Sequence, residues 1–261
     1  MIRKEIAAGT FYPDNVDELD KYFDHFNIVF DQLFSVKDIQ SRAIIVPHAG
    51  YVYSGFTANA AYRVLQNSRA KNFVVIGPSH KVTFSGISIG EFESYRTPLG
   101  NIKSATALIN NLKNRFKINC VFQAHAEHST EVQFPFIKHY LKDVNIAEIV
   151  YGQEDPRHLS QIIDYILKDK DNGVIISTDL SHFHNLNEAE ELDNICLKSI
   201  ELLDTDTLHS GCEACGMIGV EAILLSAKRA NLKAHILDYR TSAEASGDES
   251  RVVGYVSAYF S

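Results

Sequence analysis

Phe73-Val74-Val75-Ile76-Gly77-Pro78-Ser79-His80 is the stretch whose reading decides the fold: an apolar, β-branched run that ends in a small turn carrying a histidine. Two other segments repeat it, Ala43-Ile44-Ile45-Val46-Pro47-His48 and Val174-Ile175-Ile176-Ser177-Thr178-Asp179-Leu180-Ser181-His182. Hydrophobicity in all three is continuous rather than alternating, as expected of strands buried on both faces of a sheet. Sheets of that kind gather ligands at the carboxyl ends of their strands, which is where His48, His80 and His182 fall. The three can converge on one crevice.

Between and around these runs lie segments with helical spacing, at residues 57–65, 104–116, 132–141, 158–167, 188–203 and 218–230. In the fourth, Leu159, Ile162, Ile163, Ile166 and Leu167 trace a stripe that would pack on a sheet. Strands alternating with helices predict α/β layering. The tail, residues 235–260, reads instead as two extended runs around a polar stretch at 241–250, which suits a hairpin and makes the sheet mixed. Without a repeat or a linker, residues 1–261 are expected to form a single three-layer αβα domain around a central mixed, largely parallel sheet.

Composition is that of an ordinary globular chain, 45% hydrophobic and 22% charged. A net charge of −8, with no cluster of Lys and Arg, argues against a protein that grips nucleic acid and favours a small-molecule or protein partner. No run approaches the ~18 apolar residues of a membrane helix. Nor does an apolar stretch follow the charged start, so a cytoplasmic, reducing location is expected. Cys120, Cys196, Cys212 and Cys215 are accordingly expected to be core, metal-binding or redox residues rather than a disulfide framework, with Cys120 in an apolar strand and Cys196 on a helical stripe.

Paired histidines at equivalent strand ends point to a transition metal, because neutral imidazole is its commonest protein ligand. A histidine merely hydrogen-bonded in a loop is the bland alternative for either alone. Cys212-Glu213-Ala214-Cys215 precedes an apolar helix, where unpaired N–H groups and the helix dipole stabilise a thiolate, and Cys215 is the better placed of the two. A thioredoxin-like redox pair is the alternative reading of that spacing. Glu127 and His128 are further site candidates, whereas Ser129 and Glu131 also read as helix-capping residues. Asp179-x-x-His182 combines an acid/base histidine with a carboxylate to orient it or a ligand, or else a turn stabilised by Asp179.

These blocks together resemble the Memo family, whose bacterial members are called protein B of the Amme–Memo–radical SAM group. The resemblance rests on Ala8-Gly9-Thr10-Phe11-Tyr12-Pro13, Pro47-His48-Ala49-Gly50-Tyr51, Gly77-Pro78-Ser79-His80 and Tyr95-Arg96-Thr97-Pro98-Leu99. It continues through Glu127-His128-Ser129-x-Glu131-x-Gln133-x-Pro135, Ser177-x-Asp179-x-Ser181-His182 and Cys215-Gly216, in order along the chain. Met217-Ile218 departs from the smaller or proline-containing sequence expected there.

The family is similar to class III extradiol dioxygenases, αβα enzymes that use non-haem Fe(II) to cleave catechols, although fold alone does not fix a reaction. The resemblance implies His48, His80 and Cys215 as ligands of one metal ion, Fe(II) first and copper or zinc otherwise, since a thiolate in place of the dioxygenases' glutamate softens the site. By the same comparison His182 is the acid/base residue with Asp179 beside it, and Glu127, His128 and Tyr51 line the pocket. It implies a redox enzyme with a small-molecule substrate. Two other roles come with it: a non-catalytic pocket for a phosphorylated or anionic ligand, and an accessory factor to Amme-type and radical SAM partners.

Overall fold

The computed structural model describes residues 1–261. Eleven strands, in chain order β1 (Ile2–Arg3), β2 (Ala43–Val46), β3 (Asn72–Pro78), β4 (Ile87–Ile89), β5 (Ser94–Tyr95), β6 (Ile102–Ser104), β7 (Asn145–Tyr151), β8 (Asn172–Ser177), β9 (His182–His184), β10 (Ala234–Thr241) and β11 (Val252–Phe260), form one sheet. Its order is β1-β5-β6-β7-β3-β8-β2-β11-β10, with β4 on β7 and β9 on β11. The centre, β6-β7-β3-β8-β2, is parallel throughout, whereas β11 runs antiparallel to β2, β9 and β10. The tail is therefore the expected hairpin, and the sheet is mixed and largely parallel.

Successive residues of one strand enter different cores, which is why the runs are continuously apolar. Ile45, Val74, Ile76, Val174 and Ile176 pack with Leu159, Ile162, Ile163 and Ile166 of the helix Pro156–Lys168 and with Val220, Ile223 and Leu224 of Met217–Arg229. Ile44, Val46, Phe73, Val75 and Ile175 pack on the opposite side against Tyr62 and Leu65 of Tyr51–Leu65 and Phe134 and Phe136 of Gln133–Tyr140. Helices on both faces give the three αβα layers. No helix is long and apolar enough to cross a membrane.

Three features differ from the sequence reading. A helix at Val16–Leu33, capped by the Asn15 side chain on the Glu18 amide, adds Leu19, Phe23, Phe26 and Phe30 to the second core. Its stripe of three phenylalanines and a leucine is helical in period, so the signal was present. Cys120 is not in a strand: Lys117 adopts a left-handed conformation after the helix Thr106–Phe116, and the segment makes only an isolated bridge from Asn119 to Ser88. Cys196 is buried in the core as expected, but it is disulfide-bonded to Cys212. The chain reverses after the helix Leu186–Leu202 and returns through Thr205–Leu208, which brings together two thiols that the linear spacing kept apart.

Because β8 lies between β2 and β3, the segments leaving those three strands, with His48, Asp179 and His80, emerge side by side. Register holds them level, with Val46 opposite Ser177 and Ile76 opposite Ile176. Truncating Ile163, fully buried under this sheet, removes packing that the helix cannot restore. Ile163→Ala is expected to cost about 2–5 kcal/mol, seen as a lowered urea midpoint at unchanged slope.

Candidate metal centre

His48 stands one residue past β2, after Pro47, and its amide donates to Asp179 Oδ1 at 2.7 Å. Its Nδ1 lies 2.9 Å from Ser177 Oγ, the last residue of β8. Ser177 has one proton, which it donates to the Ser129 carbonyl at 2.5 Å, while Gln133 Nε2 donates to it at 3.0 Å. A hydroxyl offers one donor and two acceptor positions, so the remaining partner, His48 Nδ1, must carry the hydrogen. The Nε2 lone pair of His48 is then free. Burial lowers its pKa to about 4, so the ring is neutral near neutral pH.

Glu127 does the same for two more imidazoles. Its fully buried carboxylate accepts from His80 Nδ1 at 3.1 Å and from His128 Nδ1 at 2.8 Å. It also accepts the backbone amides of His80, His128 and Ser129 at 2.7, 2.9 and 3.1 Å. Burial alone would raise its pKa, but hydrogen bonds from the two histidines and these amides hold it well below the usual carboxylate range. An ionised acceptor at Nδ1 orients both rings and leaves Nε2 as the nitrogen each would offer to a metal ion. Ligand atoms of His48, His80 and His128 all lie within 4.8 Å of one another, close enough to face one ion. His48 is buried, His128 half-buried and His80 exposed, so the cluster is reached from the His80 side.

Cys215 joins through His48, with Sγ 3.4 Å from His48 Nε2. An N and an S ligand bound tetrahedrally at ~2.1 and ~2.3 Å would be about 3.6 Å apart, so the pair fits a shared ion. Asp179 N donates to the sulfur at 3.3 Å, and Cys215 N returns a bond to Asp179 O. Burial pushes the thiol up to about 12, with the Asp179 charge adding to the effect. Without a cation the group is a neutral thiol beside a lone pair. Gly216 lets the turn approach β8, because a Cβ there would lie 2.6 Å from Thr178 Cβ.

Two of the three imidazoles stand after parallel strands, the third opens a short helix, and a thiol adjoins His48. The family model described as Memo-like protein matches residues 3–259. The chain belongs to the Memo family. It is 33% identical to a MEMO1 family protein of Methanobrevibacter smithii over the whole of both chains. It is 32% identical to one of Thermoplasma volcanium, over 98% of this chain and 97% of the other, and 31% identical to one of Aquifex aeolicus, over 99% of each.

Within this Memo fold the sequence-derived site residues separate into groups. His48, His80, His128 and Glu127 meet, while Asp179 and Cys215 adjoin them through His48, Cys215 lying outside the set of mutually close donor atoms. Asp179 turns to His48, its Oδ2 3.9 Å from Nε2, rather than forming a hydrogen bond with His182. His182 is half-buried on β9, which pairs with β11. Tyr51 is buried, donates to the Val132 carbonyl at 2.9 Å, and lines a cleft with Gly9–Asp14 and Gly50–Tyr53. That cleft abuts the histidines, since the Phe11 ring lies 4.6 Å from that of His128. Ser129 does not cap the short helix His128–Glu131: Glu127 does, and Ser129 Oγ donates to Pro78 O. The roles of Ser177, Gln133 and Phe11 were missed, because a hydroxyl, an amide and an aromatic ring carry no spacing signal.

Glu131 has a different task from the dipole-complementing one. It is buried in an ion pair with Arg3 and accepts the amides of Ile6 and Ala7 and the Tyr12 hydroxyl. Arg3 Nη2 also donates to the Glu127 carbonyl at 2.8 Å, and Glu148, 3.5 Å from Arg3, pairs with His125 Nδ1 at 2.8 Å. Burial opposes charge on His125, but the Glu148 carboxylate prevails and raises it to about 9. A histidine with a raised native pKa contributes stability that is complete below its unfolded value and is lost as pH rises through the native one. The stability gap between wild type and His125→Gln should therefore shrink between about pH 6.5 and 9, by an amount on the order of 3 kcal/mol, in urea titrations at several pH values.

Proposed function

We propose that this Memo-family chain is a metal-dependent redox enzyme akin to the class III extradiol dioxygenases, holding one Fe(II) between His48, His80 and Cys215 and acting on a small organic substrate. The observation that carries the reading is the hydrogen bonding behind the imidazoles. Ser177 and Glu127 lie against Nδ1 of His48, His80 and His128, ligand atoms of these three rings are mutually within 4.8 Å, and the Cys215 thiol adjoins the cluster at His48. A buried carboxylate behind a ligating histidine fixes its tautomer and raises its basicity, which is how metalloenzymes orient imidazoles.

Bound Fe(II) would supply open positions for substrate and dioxygen, while the same mixed N and S donor set also suits copper or zinc. The chain's own residues do the rest. Glu127 and Ser177 orient the rings, Asp179 anchors the His48 and Cys215 backbones, and Phe11 covers one side of His128. His182, half-buried and without a hydrogen bond to Asp179, is the group available to take or return a substrate proton. His128 is a fourth donor turned to the same place. A pocket for phosphorylated or anionic ligands is less favoured, because the buried Glu127 carboxylate beside His80 and His128 and the Asp179 carboxylate beside His48 disfavour a further anion there.

Protein purified anaerobically is expected to carry about one metal ion per chain by elemental analysis. His48→Ala, His80→Ala and Cys215→Ala should each lose it. Retention by all three variants would sink the ligand assignment. Iron-loaded protein is expected to consume oxygen with some member of a catechol panel, and tight capture of a phosphopeptide without any uptake would transfer the reading to a binding pocket.

A further inference from the structure

The turn that carries Cys215 is fastened to the rest of the molecule by side chains that the proposed metal centre does not use. Cys212 is covalently bonded to Cys196 in the middle of the helix Leu186–Leu202. Next to it, Glu213 Oε2 pairs with His184 Nε2 at 2.7 Å, on the strand that also bears His182. Gly211, in a left-handed conformation, lies against Ile195 of the same helix: a Cβ there would come within 2.9 Å of its Cδ1. From Cys212 to Cys215 is three residues, at most about 10 Å of chain, so little displacement at Cys212 can be absorbed before Cys215.

We propose that Cys196–Cys212 is a redox latch: oxidised, it holds the 209–216 turn so that Cys215 meets His48, and reduction releases that turn and loosens the thiol from the centre. This deepens the reading above and rests on Cys215 belonging to that centre. Of the two sulfurs, Cys212 is the one near the surface, its residue 8% exposed against none for Cys196. A dithiol reductant attacks Cys212 Sγ, the Cys196 thiolate leaves and takes a proton from water, and the reductant's second thiol then displaces Cys212. Two electrons pass from the dithiol, which becomes a disulfide, and the protein gains two thiols. The Glu213–His184 pair remains as the weaker, half-exposed tether, which solvent screens.

Thiol counting and alkylation test this without any metal. Chelator-treated protein oxidised with glutathione disulfide and then denatured should show two reactive thiols, Cys120 and Cys215, and all four after reduction. In the native protein, iodoacetamide labelling of the Cys215 peptide, followed by mass spectrometry, should accelerate by about tenfold or more on reduction. Cys120, next to the Asn119–Ser88 bridge and outside the 209–216 turn, serves as the internal control and should change little. Cys196→Ser/Cys212→Ser should label at Cys215 as the reduced protein does. Four free thiols after oxidation, an unchanged Cys215 rate, or equal acceleration at Cys120 would each overturn the latch. Failure of the metal reading alone would leave these rates as expected and appear only in the elemental analysis.

Discussion

The buried carboxylate of Glu127 is the interaction on which the arrangement of the centre depends. It carries a full negative charge in a place without solvent, a position that is tolerable only because donors surround it: two imidazole N–H groups and three backbone amides. Those donors come from two separate segments, the turn after β3 and the start of the short helix His128–Glu131. Satisfying one charge thereby ties the two together. It also orients both rings, since a ring whose Nδ1 hydrogen is committed can only turn its other nitrogen outward.

Behind Glu127 stands a second layer of charge. Arg3, on the first strand, binds the Glu127 carbonyl while neutralising Glu131 and Glu148, and Glu148 is shared with His125. Each of these groups would be costly to bury alone, and removing one member leaves its partners uncompensated. The N-terminal strand thus does more than extend the sheet edge: it closes the electrostatic support of the helix from which His128 projects. The loop after it completes the shell, with Tyr12 on Glu131 and Phe11 on His128.

On the other flank the support is of another kind. Cys215 sits in a turn with no regular structure, held by backbone bonds to Asp179 and Thr178, an ion pair and a disulfide. The two imidazoles of the Glu127 side rest on buried hydrogen bonds within the fold's core, whereas the thiol rests on a tether that chemistry can open. That asymmetry places any control of the centre on its sulfur side.

The sequence by itself determined the layering, because runs such as Phe73-Val74-Val75-Ile76 without alternation can be buried only in a sheet covered on both faces, and the stripe at Leu159–Ile163–Ile166 supplies one of the covers. It also determined which residue types stand at the strand ends, and hence that His48 and His80 would meet. What it left open was everything that depends on chain reversal. The helix Val16–Leu33 went unread despite its phenylalanine stripe, whether Asp179 serves His182 or a ligand stayed open whereas in the fold it turns to His48, and Cys196 and Cys212 looked like separate thiols. Only the tertiary structure decided these, for a common physical reason: hydrogen bonds and disulfides are satisfied by whatever group the folded chain delivers within about 3 Å, and that distance has no counterpart in linear spacing.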